Sequence, residues 1–152
     1  EVDWGVFPSA EDIAWAERTI ADDPRITLHR GLPHGELLQL MRRAHVFTST
    51  TFSDPFNNTV LEAMGAQLPV ISSDVSSIPE IVAHGRNGWL VPVAGRPGDA
   101  IADEIKDHLR RLMDDPGLYH RMSAESLAVT REKFDLRVRN ARLTAIYDKA
   151  LA

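Results

Sequence analysis

The stretch FSDPFNNTVLEAMGAQLPVISSD, residues 52–74, places two carboxylates, Asp54 and Glu62, on either side of a polar turn, Asn57-Asn58-Thr59, and continues into an apolar run. Carboxylates so placed can accept hydrogen bonds from the hydroxyls of a ligand, each charge-assisted and roughly twice as strong as a neutral one. A polar turn that opens a helix adds a complementary half. Backbone N–H groups at Asn58, Thr59 and Val60, backed by the positive end of the helix dipole, suit an anionic group. On a helical wheel Val60, Leu61 and Met64 cluster and Glu62 points almost the opposite way, toward solvent or a cleft. A purely structural reading competes: Thr59 followed three residues later by Glu62 is a capping box worth about 1 kcal/mol, and Asn58 is an equally good cap.

The elements that must hold this stretch follow an α/β rhythm. EDIAWAERTIAD, residues 11–22, has the apolar spacing of a helix closed by Asp-Asp-Pro, and RITLHRG, residues 25–31, reads as the strand that follows. PHGELLQLMRRA spaces Leu37, Leu38, Leu40 and Met41 helically, with Arg42 and Arg43 where cations suit the helix C-terminus. HVFTST is a short strand, residues 59–66 a helix, LPVISSD a strand, and IPEIVAHGRNGWLVP a brief helical turn, a Gly-containing turn and a last strand at Trp89–Val91. Three helices near 98–114, 116–131 and 135–151 close the chain. Strands separated by such helices predict a parallel sheet with right-handed crossovers, which binds ligands beyond the carboxyl ends of its strands where strand order reverses. Residues 51–58 would be a strand-to-helix loop on that side.

Composition narrows the chemistry. The 152 residues suffice for one domain and one core. A net charge of −5 argues against a broad nucleic-acid or anionic-membrane surface, and no apolar run reaches the roughly 20 residues of a membrane span. The absence of cysteine excludes disulfides and thiolate chemistry and is compatible with the cytosol. The six histidines show no metal-ligand spacing, GRPG at 95–98 lacks the Lys of a phosphate-binding loop, and no serine sits in a nucleophile elbow. Trp4, Trp15 and Trp89 suit a core or an interface. The chain opens on EVDWGVFPSAED, without a Met or a leader, and reads as a fragment of a larger protein.

Residues 49–92, STTFSDPFNNTVLEAMGAQLPVISSDVSSIPEIVAHGRNGWLVP, resemble the donor-binding core of the GT-B glycosyltransferases of the family-four, or group 1, type. Their pattern is E-G-F-G-x-x-x-x-E-A-M-A-x-G-x-P-V-I-x-[ST]-D-x-G-G-x-x-E-I-[VI]-x-x-G-x-x-G-x-L-V. Glu62 falls on the second Glu of this E-x7-E motif and Phe56 on its Phe; Ala63-Met64, Pro69-Val70-Ile71, Asp74, Glu80-Ile81, Gly85 and Gly88 also match. ITLHRGLPHGELLQLMRRAHVFTST upstream and FDLRVRNARLTAIYDKAL downstream are similar to flanking parts of the family, so the resemblance covers most of the chain.

The resemblance implies a single Rossmann-like domain over residues 1–152, the carboxyl-terminal half of a GT-B fold ending in a helical tail. It implies that this domain binds a nucleoside diphosphate sugar for transfer to an acceptor hydroxyl with retention, without a metal or other cofactor. Glu62 would accept the ribose hydroxyls and Asp54 would lie near the hydroxyls of the transferred sugar. Phe56, Asn57, Asn58, Thr59 and Val60 would line the sugar and diphosphate, and Gly31 and Leu32 would flank the base; for the neighbouring His29 and His34 a place at the base competes with a surface or half-buried structural role, which the residues favour. The acceptor, a sugar, a lipid or a small molecule, would be held by an amino-terminal domain outside this sequence. The fragment alone would then be inactive, with an exposed apolar flank able to promote dimers. The whole protein would be cytoplasmic or peripheral at a membrane, with no nucleic-acid partner and no transmembrane segment.

Departures from the pattern are specific. Asp54 replaces the first Glu and shortens its reach by one methylene, Pro55 and Asn57 replace the flanking glycines, and Ser76-Ser77 replace the glycine pair. Asn57 tolerates positive φ and is a fitting stand-in for Gly. The Arg and Lys that would meet the diphosphate have no equivalent, since no lysine precedes Lys106. These departures keep open a non-catalytic sugar-nucleotide-binding module, alongside another GT-B enzyme such as an epimerase or a phosphorylase. A flavodoxin-like signalling domain fits least well.

Overall fold

The computed structural model describes residues 10–29 and 31–151. Trp4 and the opening residues lie outside that range, as does Arg30. The chain divides into two compact units, one ending at Leu37 and the other beginning at Leu38.

The first unit holds α1 (Ala10–Ala21) and the start of α2 (His34–Arg43). Asp22 and Asp23 donate their amides back to Arg18 and Ile20, and Pro24 cannot continue the helix. The strand expected at 25–31 does not form over its described residues. Ile26 donates to Asp23 in a turn, and Ile26 and Leu28 are each about half exposed, at 47% and 48%. A β-branched run becomes a strand only when a neighbour supplies ladder hydrogen bonds and cover, and residues 26–29 have no ladder partner among the described residues.

The second unit carries β1 (Phe47–Ser49), α3 (Asn58–Gly65), β2 (Val70–Ser73), α4 (Ile78–Ile81), β3 (Gly88–Val91), α5 (Gly98–Asp114), α6 (Pro116–Val129) and α7 (Leu136–Leu151), with a π-helical turn at Thr130–Phe134 between the last two. The sheet is parallel, ordered β1-β2-β3, with Ser49 beside Ser72 and Ser73 beside Val91. Strand order therefore follows chain order, and no reversal occurs among the described residues. The expected crevice at a reversal is not formed by these strands; what remains is the common side onto which their carboxyl ends open.

Val70-Ile71-Ser72-Ser73 is buried on both faces, as parallel strands are. On one face Val60, Met64, Val70, Ile78, Ile81, Val82 and Val129 form a core; on the other Ile71 joins Trp89, Val91, Val93, Ile101, Leu112 and Met122. Each such side chain stabilises the fold by roughly 1.5–3 kcal/mol through the area it removes from water. In α3 the fully buried residues are Val60, Ala63 and Met64, while Leu61 is only half buried, so the apolar face is turned slightly from the one the wheel suggests.

Trp89 is a core residue, stacked on His108 of α5 with ring centroids 4.6 Å apart and planes 10° from parallel. Arg111 covers the same indole at 5.4 Å. Neither ring nitrogen of His108 has a hydrogen-bond partner among the described residues, and burial holds its pKa below the ordinary 6.5 despite the opposing pull of Glu104. No residue of α7 is buried, and Leu136, Ile146, Tyr147 and Leu151 are each exposed. No helix among the described residues is long and apolar enough to cross a membrane.

Candidate functional site

Two loops leave the carboxyl ends of β1 and β2, Thr50–Asn57 and Asp74–Ser77. Side-chain hydroxyls tie them together. Ser73 Oγ–H, buried at the end of β2, donates to the Thr51 carbonyl at 2.6 Å, and the Asp54 amide donates to Ser76 Oγ in a longer bond of 3.4 Å. The second loop is fixed to the sheet in turn, because the Asp74 amide donates to the Val91 carbonyl at 3.2 Å.

Asp54 is half buried within the first loop. Its Oδ1 accepts the Phe56 amide at 3.1 Å, a local turn that orients the carboxylate, while Oδ2 makes no hydrogen bond among the described residues. Phe56 is exposed, and Phe52, which the sequence did not single out, is more exposed still.

The cap of α3 is neither of the two that the sequence offered. Asn57 is the cap: it is buried, and its Oδ1 accepts the Val60 amide at 3.1 Å. Neither Asn58 nor Thr59 caps, and Thr59 with Glu62 makes no capping box, since both lie inside the helix. The physical reason is position: a cap must hold non-helical backbone angles, and Asn57, at φ −78° and ψ 89°, is the last residue that does. Asn57 therefore does not take the positive φ expected of a stand-in for glycine. Ser76 does, at φ +52°, so the backbone shape of a glycine persists there without the glycine.

This cap engages the Val60 amide and leaves those of Asn58 and Thr59 as first-turn donors with no acceptor inside the helix. Glu62, half buried, sits one turn further along α3. Gly31, at φ +62°, and the half-buried Leu32 belong to the unit that ends at Leu37, as do the exposed His29 and His34. Among the described residues no three His, Asp or Glu side chains converge as metal ligands. An apolar cavity of about 250 Å³ lies at the amino end of β1, lined by Val46, Leu109, Leu112, Met113 and Tyr119 among others, and contains no residue of either loop.

The chain is 33% identical over 85 residues to an alpha-maltose-1-phosphate synthase of Mycolicibacterium smegmatis, a match covering 56% of this chain and 22% of that protein. Its fold superposes on Anabaena HepE solved in complex with UDP-glucose, with a TM-score of 0.76 at 20% identity, over 94% of this chain and 38% of HepE. It also superposes on the C-terminal domain of a glycosyl transferase group 1 family protein (LpcC) from Francisella tularensis, with a TM-score of 0.70 at 20% identity, over 84% of this chain and 66% of that one. The chain thus spans well under half the length of the synthase and of HepE, and the fold class expected from the sequence, a Rossmann-like α/β sheet of the GT-B kind with a helical tail, is the one observed. The group 1 pattern itself extends over residues 7–115, most of the sequence, and the chain belongs to the family of glycosyl transferases group 1.

Proposed function

We propose that this chain is the donor-binding part of a glycosyltransferase and holds a nucleoside diphosphate sugar against the two tied loops. The observation that carries the reading is the arrangement beyond the carboxyl ends of β1 and β2: a carboxylate oxygen of Asp54 that makes no hydrogen bond among the described residues, and a helix start where the Asn58 and Thr59 amides have no acceptor inside the helix. In this reading Asn58 and Thr59 meet the diphosphate with their N–H groups, Phe56 and Asn57 shape the sugar side, and Asp54 accepts from the sugar hydroxyls. Val60 contributes through the capped turn it closes rather than by an amide of its own. Glu62 accepts the ribose hydroxyls. UDP-glucose in the similarly folded HepE supports a nucleotide sugar as the ligand class.

The reaction breaks the bond between the anomeric carbon and the diphosphate oxygen and forms one from that carbon to an acceptor oxygen, which loses its proton. Charge develops on the leaving diphosphate, so fixed amides and a helix dipole aimed there lower the barrier without a metal. The acceptor is bound elsewhere in the protein, and retention rests on the family likeness alone.

The test is calorimetric titration of the chain with UDP-, GDP- and ADP-glucose, beside Glu62→Ala. One base should bind, and the variant should lose about 1–3 kcal/mol, as removal of a charge-assisted hydrogen bond predicts. Absence of binding at millimolar ligand, or equal affinity in the variant, rejects the reading.

A further inference from the structure

Ser76 is one of two described non-glycine residues with positive φ, and it lies on the loop that faces Asp54. Left-handed backbone brings the side chain of an L-residue against its own carbonyl, so a serine there is strained where a glycine would be relaxed. The strain accompanies one specific contact, the acceptance of the Asp54 amide by Ser76 Oγ, across 22 residues of chain. Asp has a short side chain with only two torsions, and Oδ1 is already engaged by Phe56. The direction of Oδ2 is therefore set by the main chain at Asp54, which the Ser76 hydroxyl holds. The shorter bond from Ser73 anchors the same loop at Thr51, so Ser76 is the second of two points and fixes the loop's rotation about the first.

We propose that Ser76 is a positioning residue that orients the Asp54 carboxylate toward the sugar half of the ligand. The inference rests on the reading of Asp54 as a sugar-side group. Ser76→Gly removes the hydroxyl and relaxes the backbone; Ser76→Ala removes the hydroxyl and keeps the strain. Two readouts on the whole chain separate positioning from folding. The first is hydrogen exchange of the Asp54 amide, which should speed up by about threefold or more in both variants as its acceptor is lost. The second is titration with UDP, GDP and ADP, each beside its glucosyl derivative. Both variants should bind the free nucleotide as the parent does and lose about three- to tenfold of the affinity that the glucose adds.

Ser76→Gly should do this without loss of thermal stability, which a merely structural role would not allow. Unchanged exchange at Asp54, equal loss with nucleotide and nucleotide sugar, or a glucose increment equal to the parent's overturns the proposal. If the parent binds no nucleotide sugar, the donor-binding reading falls, and exchange at Asp54 still decides whether Ser76 holds that loop.

Discussion

The two ends of the parallel sheet are built on opposite plans. At the amino end of β3 the polar groups turn inward and are used up. Asn87, fully buried, accepts the Ala83 amide at 2.7 Å, donates to the Ile81 carbonyl at 3.3 Å, and offers its own carbonyl to Ser126 Oγ at 3.0 Å. Gly88 beside it lies so close to β2 that a Cβ would stand 2.1 Å from the Val70 carbonyl oxygen. At the carboxyl ends of β1 and β2, strained and exposed residues are joined by few bonds, and polar capacity is left over at Asp54 Oδ2 and in the first amides of α3. A saturated end can only be structural, whereas an unsaturated end still in reach of water has donors and acceptors to offer a ligand.

The contrast can be broken at the amino end first. Gly88→Ala should be the most damaging change, destabilising by more than about 3 kcal/mol because the colliding atom is backbone in a central strand; denaturant unfolding that shows less would mean β2 and β3 can separate. Asn87→Ala strands the Ala83 amide and the Ile81 carbonyl, and should cost about 2–3 kcal/mol in the same assay. At the carboxyl end Asn57→Ala removes only a cap and should cost about 1 kcal/mol, with Asn57→Asp recovering most of it.

The smallest effect concerns acid. Burial lowers the pKa of His108 in the folded protein, so the unfolded chain takes up a proton first. The contribution is intact above about pH 6.5 and is lost as pH falls from there toward the lowered folded value. Glu104 and Asp107 oppose that lowering, while Arg111 and His84 add to it. His108→Gln should flatten this slope of stability against pH, and a slope identical to the parent's would place the proton elsewhere.

Much of the second unit was legible in the sequence. Helical spacing with Pro and Gly punctuation gave α3, α5, α6 and α7 within a residue or two, apart from the π-helical turn that ends α6, and short β-branched runs gave β1 to β3. Asp54, Asn57 and Glu62 were marked by type and spacing, and Ser76 only as a departure from the family's glycine pair. The use of each was not. Three adjacent residues can cap a helix equally well in isolation, and which one does depends on where the preceding loop lets the backbone turn helical. Phe52 carried no local signal, since it matters through exposure, and Ser73 falls on the [ST] of the family pattern, which marks the position but not its bond to Thr51. The run at 25–31 failed as a strand because a ladder partner is a non-local requirement.

By itself the sequence determined the alternation of helix and strand, the family pattern and the residue types gathered around Asp54 and Glu62, because periodicity, caps and turn residues act over a few positions. Only the tertiary structure decided that Asn57 caps α3, that Ser76 takes a left-handed backbone, and that Ser73 and Ser76 tie the second loop to the first. The two serine contacts each join residues 22 positions apart, and no local pattern encodes that distance.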